Sequence, residues 1–261
     1  MQNVKWVTRH DDKHVAYVKL ARGDKYNALS FDVLEDLYQV LHEVSNDKAV
    51  FCVVLEAEGK AFCAGHDLKE MREDSSLETM GELFSLCTKV MLKITEMEKP
   101  VIAKVHGIAT AAGCQLVASC DLAIASNNAK FATSGINIGL FCSTPMVALS
   151  RNVAPKKAFE MLFCGDFISA EQAVDFGLIN YAVEEDRLDH AVLEMAEKIA
   201  SKPPLSIAFG KKIFYKQLET DRKAAYELAA HTMACNMATQ DAQAGIDAFL
   251  AKQHMPKWQG Q

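Results

Sequence analysis

The sequence lacks the short motifs that mark the commonest nucleotide-binding and hydrolase sites. It contains no Gly-x-Gly-x-x-Gly turn, no Gly-x-x-x-x-Gly-Lys-Ser/Thr loop and no Gly-x-Ser-x-Gly elbow. These absences weaken three hypotheses: hydride transfer on a nicotinamide fold, phosphate cleavage on a P-loop, and an ordinary α/β-hydrolase. No metal site is expected either, because the sequence has no Cys-x-x-Cys spacing and no His-x-x-x-His pair in a helical pattern.

Long hydrophobic runs and targeting segments are also missing. No apolar run approaches 18 residues, and no basic N-terminal stretch leads into a long apolar one. The formal charge of −6 at pH 7 argues against nucleic acid as the main partner. The eight cysteines are spread through apolar segments, which is typical of buried thiols in a reducing compartment. We therefore expect a cytoplasmic protein with neither a membrane nor a nucleic acid as its partner.

Apolar strands alternate with helical stretches through the first half of the chain. The pattern predicts four strands, at Val15–Leu20, Val50–Glu56, Val101–Val105 and Leu122–Ala125. It predicts three helices between them, at Ser30–Ser45, Leu77–Glu98 and Ala111–Ala118. A chain of 261 residues, half of them apolar, can bury about 70–75% of its unfolded surface in one large core. The fold class is α/β, and a Rossmann sheet, a barrel and a spiral of β-β-α turns all fit the alternation.

From about Ser169 the sequence becomes helical. Ser169 is a helix cap, Gly177 ends that short helix, and Asp186–Ala200 forms a second one. Leu205–Lys252 reads as helix interrupted only at two glycines, Gly210 and Gly245. This tail has more apolar residues than one face of a small lobe needs, which is typical of a subunit interface. We predict a core over residues 1–200 and a helical oligomerisation region over residues 201–261.

Two turns rich in small residues carry the clearest functional signal. Lys60–Met71 follows one predicted strand, and His106–Gly113 follows the next. Small residues at a strand end let a ligand approach the backbone and leave helix N-terminal N–H groups free to face negative charge. Taken separately, each segment can be simply a tight turn. Taken together, the two turns could direct one N–H each at a single oxygen, which is the arrangement of a two-donor oxyanion hole.

The chain resembles the enoyl-CoA hydratase/isomerase (crotonase) family over nearly its whole length. The matching segments, in order, are Arg22–Leu29, Phe62–Leu68, Lys99–Gly107, Ala112–Leu116, Cys120–Ala125, Phe131–Gly139, Gly165–Ala170, Ala173–Ile179 and Gly245–Lys252. The resemblance implies a crotonase-type spiral of β-β-α turns with a C-terminal helical trimerisation region. It also implies an acyl-CoA ligand, no cofactor other than the coenzyme A of the substrate, and a homotrimer or a dimer of trimers.

The resemblance assigns roles to individual positions. The oxyanion-hole N–H groups fall on His66 and Ala112. The positions that bind the acyl-CoA are Lys25, Ala28, Ala64, Asp67, Leu68, Ile108, Asn137, Leu140, Phe249 and Lys252. Phe249 and Lys252 match tail positions that often reach the site of a neighbouring subunit.

The sequence departs from the hydratase pattern at both catalytic carboxylates. The pattern places one glutamate where this chain has Gln115 and another where it has Gly135. Neither the amide of glutamine nor glycine, which has no side chain, can act as a general acid or base. A general acid or base typically supplies about 10²–10⁴-fold in rate. We therefore expect no ordinary hydratase turnover unless another group substitutes. The His66 imidazole is one candidate, although the family uses only the backbone N–H at that position.

Three functions remain open at this point. The first is an enzyme, a lyase or isomerase, whose oxyanion hole stabilises a thioester enolate without paired carboxylates, for instance in decarboxylation or in slow hydration or isomerisation. The second is a catalytically inactive acyl-CoA-binding protein. The third is an acyl-CoA thioesterase that uses a positioned water.

Overall fold

The computed structural model of the protein describes residues 6–261. Its ten strands are β1 Val7–Asp12, β2 Val15–Leu20, β3 Cys52–Ala57, β4 Ala61–Cys63, β5 Val101–Val105, β6 Ile108–Thr110, β7 Leu122–Ser126, β8 Lys130–Ala132, β9 Ile168–Ser169 and β10 Tyr181–Val183. Its eleven α-helices are α1 Phe31–Asn46, α2 Leu68–Glu73, α3 Leu77–Glu96, α4 Ala112–Ser119, α5 Ser143–Asn152, α6 Pro155–Cys164, α7 Ala170–Asp175, α8 Leu188–Ala200, α9 Pro204–Leu218, α10 Arg222–Met237 and α11 Gln240–Leu250.

The strands form two sheets that the chain visits in turn. The larger sheet has the order β1-β2-β3-β5-β7-β10 and the smaller one the order β4-β6-β8-β9. All pairings are parallel except β1 with β2 and β8 with β9. In the larger sheet, strands β3, β5 and β7 are followed along the chain by β4, β6 and β8 of the smaller sheet, respectively. Each of these pairs is followed by helical structure. The fold is therefore a spiral of β-β-α turns, and the Rossmann and barrel alternatives are wrong.

The strands of the larger sheet are apolar because both of their faces are covered. One face lies against the main core, which includes Leu34, Leu83 and Leu116 from helices α1, α3 and α4. The other face packs against α8 through a smaller cluster that includes Ile102 and Val192. Strands buried on both sides read as continuous hydrophobic runs, which is why the sequence pattern finds them.

The predicted elements of the first half are confirmed, with small differences at their ends. Ser30 caps α1 by accepting a hydrogen bond from the Val33 N–H, and Ser169 forms a capping box with Gln172 in α7. The prediction that the cysteines are buried holds for six of them, whereas Cys164 is exposed and Cys235 is half-buried. Of the described residues, none belongs to a helix long and apolar enough to cross a membrane.

The prediction that Gly210 and Gly245 interrupt the tail is wrong, because both lie inside helices, α9 and α11. The tail breaks instead before Asp221 and Thr239, whose side chains cap α10 and α11. A glycine inside a helix costs only about 1 kcal/mol relative to alanine, so a favourable cap outweighs it in setting where a helix begins.

The tail helices contact the rest of the chain at few points. The Lys211 ammonium of α9 is buried and donates to the carbonyls of Ile94 and Lys99 and, at 2.7 Å, to the Asp121 carboxylate. The Tyr215 hydroxyl donates to the same carboxylate at 2.8 Å. Helix α10, in contrast, buries none of its residues within the single chain. The division of the chain at residues 200 and 201 stays a prediction.

Candidate active site

The two turns singled out from the sequence meet at the start of α4. Gly65 lies so close to the second turn that an added Cβ would be 3.0 Å from the Ala111 Cβ and 3.3 Å from the Ala112 nitrogen. At Gly113 an added Cβ would lie only 2.1 Å from the Cys63 carbonyl oxygen. Glycine is therefore required at Gly113, and its absence of a side chain is what brings the backbones of the two turns together.

The backbone N–H groups of His66 and Ala112 are left without a partner by this arrangement. His66 pairs with Leu29 in a parallel bridge that uses the Gly65 carbonyl and the Asp67 N–H, so it does not use the N–H of His66 itself. Ala112 is the first residue of α4, where an N–H has no acceptor in the preceding turn. Ala111 before it has φ 50° and ψ −118°, a strained conformation for a residue with a side chain. Such strain costs about 1–3 kcal/mol and is typical of functional sites.

The loop that carries His66 is held from the other side by Asp67. The Asp67 carboxylate accepts from the N–H groups of Lys69 and Glu70 at the start of α2. It also pairs with Arg22 at 3.0 Å. Burial alone would raise the pKa of Asp67, but these hydrogen bonds and the arginine charge lower it below its usual range. The loop is thus fixed by an ionised carboxylate at neutral pH.

The His66 imidazole is covered rather than free in solvent. Its Nδ1 lies 3.3 Å from the Leu29 carbonyl oxygen, and its ring meets the Phe84 ring edge-on with centroids 5.4 Å apart. A carbonyl only accepts, so Nδ1 carries the proton and Nε2 presents a lone pair. Burial lowers the pKa of His66, which keeps the ring neutral near pH 7. Within residues 6–261, His66 Nε2 is one of only three buried side-chain polar atoms without a hydrogen-bond partner.

Gln115 lies one turn into α4, after Ala112. Its side chain is 5% exposed, and its Oε1 is the second of those buried atoms without a partner in the described chain. A buried amide oxygen left unpaired costs about 1–3 kcal/mol. Gln115 therefore holds a buried amide oxygen that no neighbouring group of the described chain satisfies.

Gly135 occupies a short 3₁₀ helix, Ser134–Ile138, with no room for a side chain. An added Cβ would lie 2.3 Å from the Leu140 carbonyl oxygen and 2.9 Å from the Cys142 Sγ. The neighbouring Ser134 hydroxyl is 2.8 Å from that of Thr110, which ties this segment to the second turn. A carboxylate is thus absent at position 135, and the local backbone also excludes one.

Of the other predicted ligand positions, those near the loops are mostly surface residues. Lys25 and Ala64 are exposed, and Ala28 is half-buried. Leu68, Ile108 and Leu140 are apolar residues that remain 40–50% exposed. Asn137 is used differently, because its Nδ2 donates to the Gly165 carbonyl at 3.1 Å. Its side chain holds a turn of the protein, so a ligand could meet only its remaining surface.

The two tail positions lie apart from these loops in sequence and in the fold. Phe249 is in the last turn of α11 and is 71% exposed, while Lys252 follows it with φ 55°. Helix α11 packs on α10, which itself buries nothing within the single chain. Any contribution of these two residues to a site in a neighbouring subunit stays a prediction.

Three residues that support the site were given no role by the sequence reasoning. Arg22 binds both Asp67 and the Ala28 carbonyl, and Asn27 is fully buried and bonds to the carbonyls of Glu58 and Ala61. Phe84 covers the His66 ring. Arg22 and Asn27 lie in a segment that carries the family resemblance, and this was the only signal available for them. Phe84 had none, because a phenylalanine in a helix is ordinarily a core residue.

Comparisons with known proteins identify relatives that match nearly the whole chain. A family model described as enoyl-CoA hydratase/isomerase matches residues 10–261. A crystal structure of an enoyl-CoA hydratase from Mycobacterium smegmatis is 51% identical, has a TM-score of 0.95, and is matched over 97% of this chain and 98% of that chain. A crystal structure of human enoyl-Coenzyme A hydratase domain-containing protein 3 is 43% identical, has a TM-score of 0.94, and is matched over 96% of this chain and 99% of the other. The short-chain-enoyl-CoA hydratase of Clostridium acetobutylicum is 34% identical over 91% of this chain and 92% of its own length.

The comparisons also correct one prediction. Enoyl-CoA hydratase domain-containing protein 3 of the mouse is 45% identical over 96% of this chain and 83% of its own length, and it is named as a mitochondrial protein. The human and rat relatives carry the same designation. The predicted cytoplasmic location is therefore wrong on this comparison, because such names point to the mitochondrion. The match over residues 10–261, together with the spiral of β-β-α turns, places this chain in the enoyl-CoA hydratase/isomerase family.

Proposed function

We propose that this protein binds acyl-CoA thioesters and acts on them as a non-standard or weak lyase or isomerase through a thioester enolate. The observation that carries the proposal is the meeting of the two turns, which leaves the His66 and Ala112 N–H groups unpaired at one place. A thioester carbonyl oxygen could accept hydrogen bonds from both N–H groups. These bonds would stabilise it most when it takes on the negative charge of an enolate oxygen. Each preorganised donor of this kind is worth about 10²–10³-fold in rate.

The same site argues against efficient hydration. Adding water to an enoyl thioester needs a base to activate the water and an acid to protonate the α-carbon. Gln115 can hold a water molecule but has no useful proton affinity, and Gly135 has no side chain and no room for one. The proposed chemistry is therefore limited to enolate reactions that proceed slowly or with little proton transfer.

A second function, binding without turnover, is favoured by the loss of both carboxylate positions together. A protein that only senses or holds an acyl-CoA would keep the backbone donors and lose the acid and base. The thioesterase alternative has less support, because its water would need a base, and the candidate base, the His66 imidazole, is covered by the Phe84 ring.

The proposed reactions need no cofactor other than the coenzyme A that is part of the ligand. Lys25 and Lys252 offer positive charge to the phosphates, which the net charge of −6 would otherwise repel. We further propose a homotrimer or a dimer of trimers, which places Phe249 and Lys252 of one subunit beside the site of another.

A panel of acyl-CoAs tests the proposal in two readouts, thermal stability and turnover. A ligand at 100 times its Kd should stabilise the protein by about 2.7 kcal/mol. Binding accompanied by slow turnover supports the enzyme, and binding alone supports the sensor. The absence of any stabilisation by acetyl-, crotonyl- or longer acyl-CoA would contradict both, whereas release of free coenzyme A would identify a thioesterase.

A further inference from the structure

The chain ends in a terminal segment, residues 253–261, that leads back from the end of α11 to its first turn. Gln259 and Gly260 donate their N–H groups to the two carboxylate oxygens of Asp241, at 2.7 and 2.8 Å. The Asp241 N–H donates in turn to the Gln261 carbonyl at 3.1 Å. Asp241 is only 3% exposed, so these bonds are shielded from water and hold the end of the chain to the start of α11.

The reversal of the chain after α11 depends on the backbone of Lys252. Lys252 has φ 55°, in the left-handed region that glycine usually occupies after a helix. Its N–H donates to the Phe249 carbonyl at 3.1 Å, and the next residue, Gln253, donates to the Ala248 carbonyl at 2.9 Å. These two bonds form the Schellman motif that closes a helix. A residue with a side chain keeps this conformation where the surrounding contacts hold it, and the bonds at Asp241 are such contacts.

Trp258 joins the terminal segment to a second helix. Its indole N–H donates at 2.9 Å to the carbonyl of Ser201, which lies shortly before α9. Its ring lies against Gly245 of α11, where an added Cβ would be 3.3 Å from two of the ring carbons. The absence of a side chain at Gly245 therefore lets the indole pack directly on α11 and connect that helix to the start of α9.

Helix α11 buries few of its own residues in the single chain. Only Asp241 and Ala248 of this helix are buried, and both accept hydrogen bonds from the terminal segment. An element with few buried contacts opens locally at a low free energy. The position of α11, and of Lys252 at its end, therefore depends on the terminal segment.

We propose that the terminal segment acts as a clasp, which holds α11 to the start of α9 and thereby fixes the position of Lys252. Asp241 and Trp258 are in this view positioning residues, because they act through Lys252 rather than on a ligand. The consequence for binding rests on the proposed function, in which Lys252 offers positive charge to the phosphates of coenzyme A. Opening the clasp moves that charge, so the terminal segment controls the affinity for the coenzyme A part of the ligand.

Amide hydrogen exchange in the intact chain tests whether the clasp exists. Trp258→Ala removes the indole and Gly245→Leu displaces it, so each should speed exchange in α11 by about 10-fold or more and leave the larger sheet unchanged. Gly210→Leu is the matched control, because nothing lies within 4 Å of a Cβ added at this glycine of α9. Exchange in α11 that is unchanged in the first two variants, or raised equally by the control, would overturn the inference.

Calorimetry with acetyl-CoA tests whether the clasp acts through Lys252. Lys252→Met should weaken binding by about fivefold at low salt, the size of one exposed charge pair, and Trp258→Ala should weaken it to a similar extent. The double variant should bind no more weakly than Lys252→Met alone. Losses that multiply in the double variant, or wild-type affinity in Trp258→Ala, would overturn the positioning role. No binding of acetyl-CoA by the wild type would instead overturn the proposed function, while the exchange experiment would still decide whether the clasp exists.

Discussion

Gln115 and Gly135 are the two positions at which a hydratase is predicted to carry glutamate, and their surroundings permit different changes. The Gln115 side chain already occupies space in the site and ends in an unpaired oxygen. Gly135 is closed in by the Leu140 carbonyl and the Cys142 thiol. Restoring a hydratase by placing glutamate at both positions is therefore not available to this backbone, and the two positions have to be tested separately.

Gly135→Ala should destabilise the protein by about 1–3 kcal/mol, because the new methyl group has to displace the Leu140 carbonyl. Gly81→Ala is the matched control, since nothing lies within 4 Å of a Cβ added at this helical glycine. The control should stabilise the protein by up to about 1 kcal/mol through helix propensity. Urea unfolding measures both, and equal effects of the two substitutions would show that Gly135 is not crowded.

Gln115→Glu should raise the rate of crotonyl-CoA hydration by about 10²-fold, the lower end of what one general acid or base contributes. The reason is that a carboxylate at this position returns one proton-transfer group beside the two backbone donors. Gln115→Met, which is similar in volume but has no proton affinity, should not raise the rate. A rate unchanged by Gln115→Glu in a folded protein that still binds crotonyl-CoA would contradict the assignment of position 115.

In the larger sheet, the carboxylate of Glu56 links three neighbouring strands, β2, β3 and β5. Glu56 of β3 is 5% exposed and pairs with Lys19 of β2 at 2.9 Å and with Lys104 of β5 at 2.8 Å. Burial alone would raise the pKa of Glu56, but the two lysines lower it below the ordinary value of 4.5. Because the folded-state pKa is the lower one, this pairing stabilises the protein fully above pH 4.5 and is lost as the pH falls through the folded-state pKa.

Glu56→Gln should therefore destabilise the protein near neutral pH and do so progressively less as the solution becomes acidic. Urea unfolding at about pH 7, 5 and 3 would measure the difference between the variant and the wild type. A difference that stays constant over that range would show that the ionised state of Glu56 contributes nothing.

Helix α9 depends on Lys211 for its attachment to the spiral. Burial lowers the pKa of Lys211, yet its ammonium is held by two carbonyls and by Asp121. Lys211→Met should cost about 3–5 kcal/mol, because it leaves the half-buried Asp121 carboxylate without its cationic partner. Lys212→Met, at the exposed neighbouring position of the same helix, should change stability by less than about 0.5 kcal/mol. Similar losses for the two variants in urea unfolding would contradict this account.

The sequence predicted those strands and helices whose formation is signalled by residues within the element itself, such as apolar runs and helix caps. Strand β5 was located from its continuous apolar run, and α7 from the Ser169 cap and Gly177. The strands of the smaller sheet, such as β4 and β6, are three residues long, too short for any periodicity to appear. Their pairing is fixed by the spiral as a whole, which local pattern does not encode.

For the site, the sequence predicted that the two turns could act together, but it did not predict how their residues are held. The positions of His66 and Ala112 followed from the resemblance, and the two turns do meet. The crowding at Gly135 depends on Leu140 and Cys142 folding back over it, and the cover on His66 depends on Phe84 from α3. The Lys211–Asp121 pair joins residues 90 positions apart. Such contacts are set by tertiary structure and leave no local signal.

The whole molecule has an apolar surface that one chain does not cover. In the tail helices, large side chains remain mostly exposed, namely Phe214, Leu218, Tyr226, Met233, Phe249 and Leu250. Large exposed apolar side chains in such number are typical of a surface that another molecule covers. This exposure supports the proposed trimer, in which the tails of neighbouring subunits cover one another.

Light scattering should give a mass of three or six times the 28.7 kDa of one chain. Met233→Glu should reduce that mass, because Met233 is 72% exposed on α10 and a charge there would be buried in the interface. Lys223→Glu on the same helix replaces one exposed charge with another and should preserve the assembly. A monomeric mass for the wild-type protein at micromolar concentration would contradict the oligomer.

We propose that the protein keeps the backbone donors of its family while lacking the carboxylates of a hydratase. The most direct test is the turnover of crotonyl-CoA by the wild-type protein at a concentration where calorimetry shows that the ligand is bound. We expect saturable binding with a hydration rate several orders of magnitude below about 10 s⁻¹, a typical enzymatic value. Hydration at tens of turnovers per second would contradict it, because Gln115 and Gly135 cannot supply the proton transfers that such a rate requires.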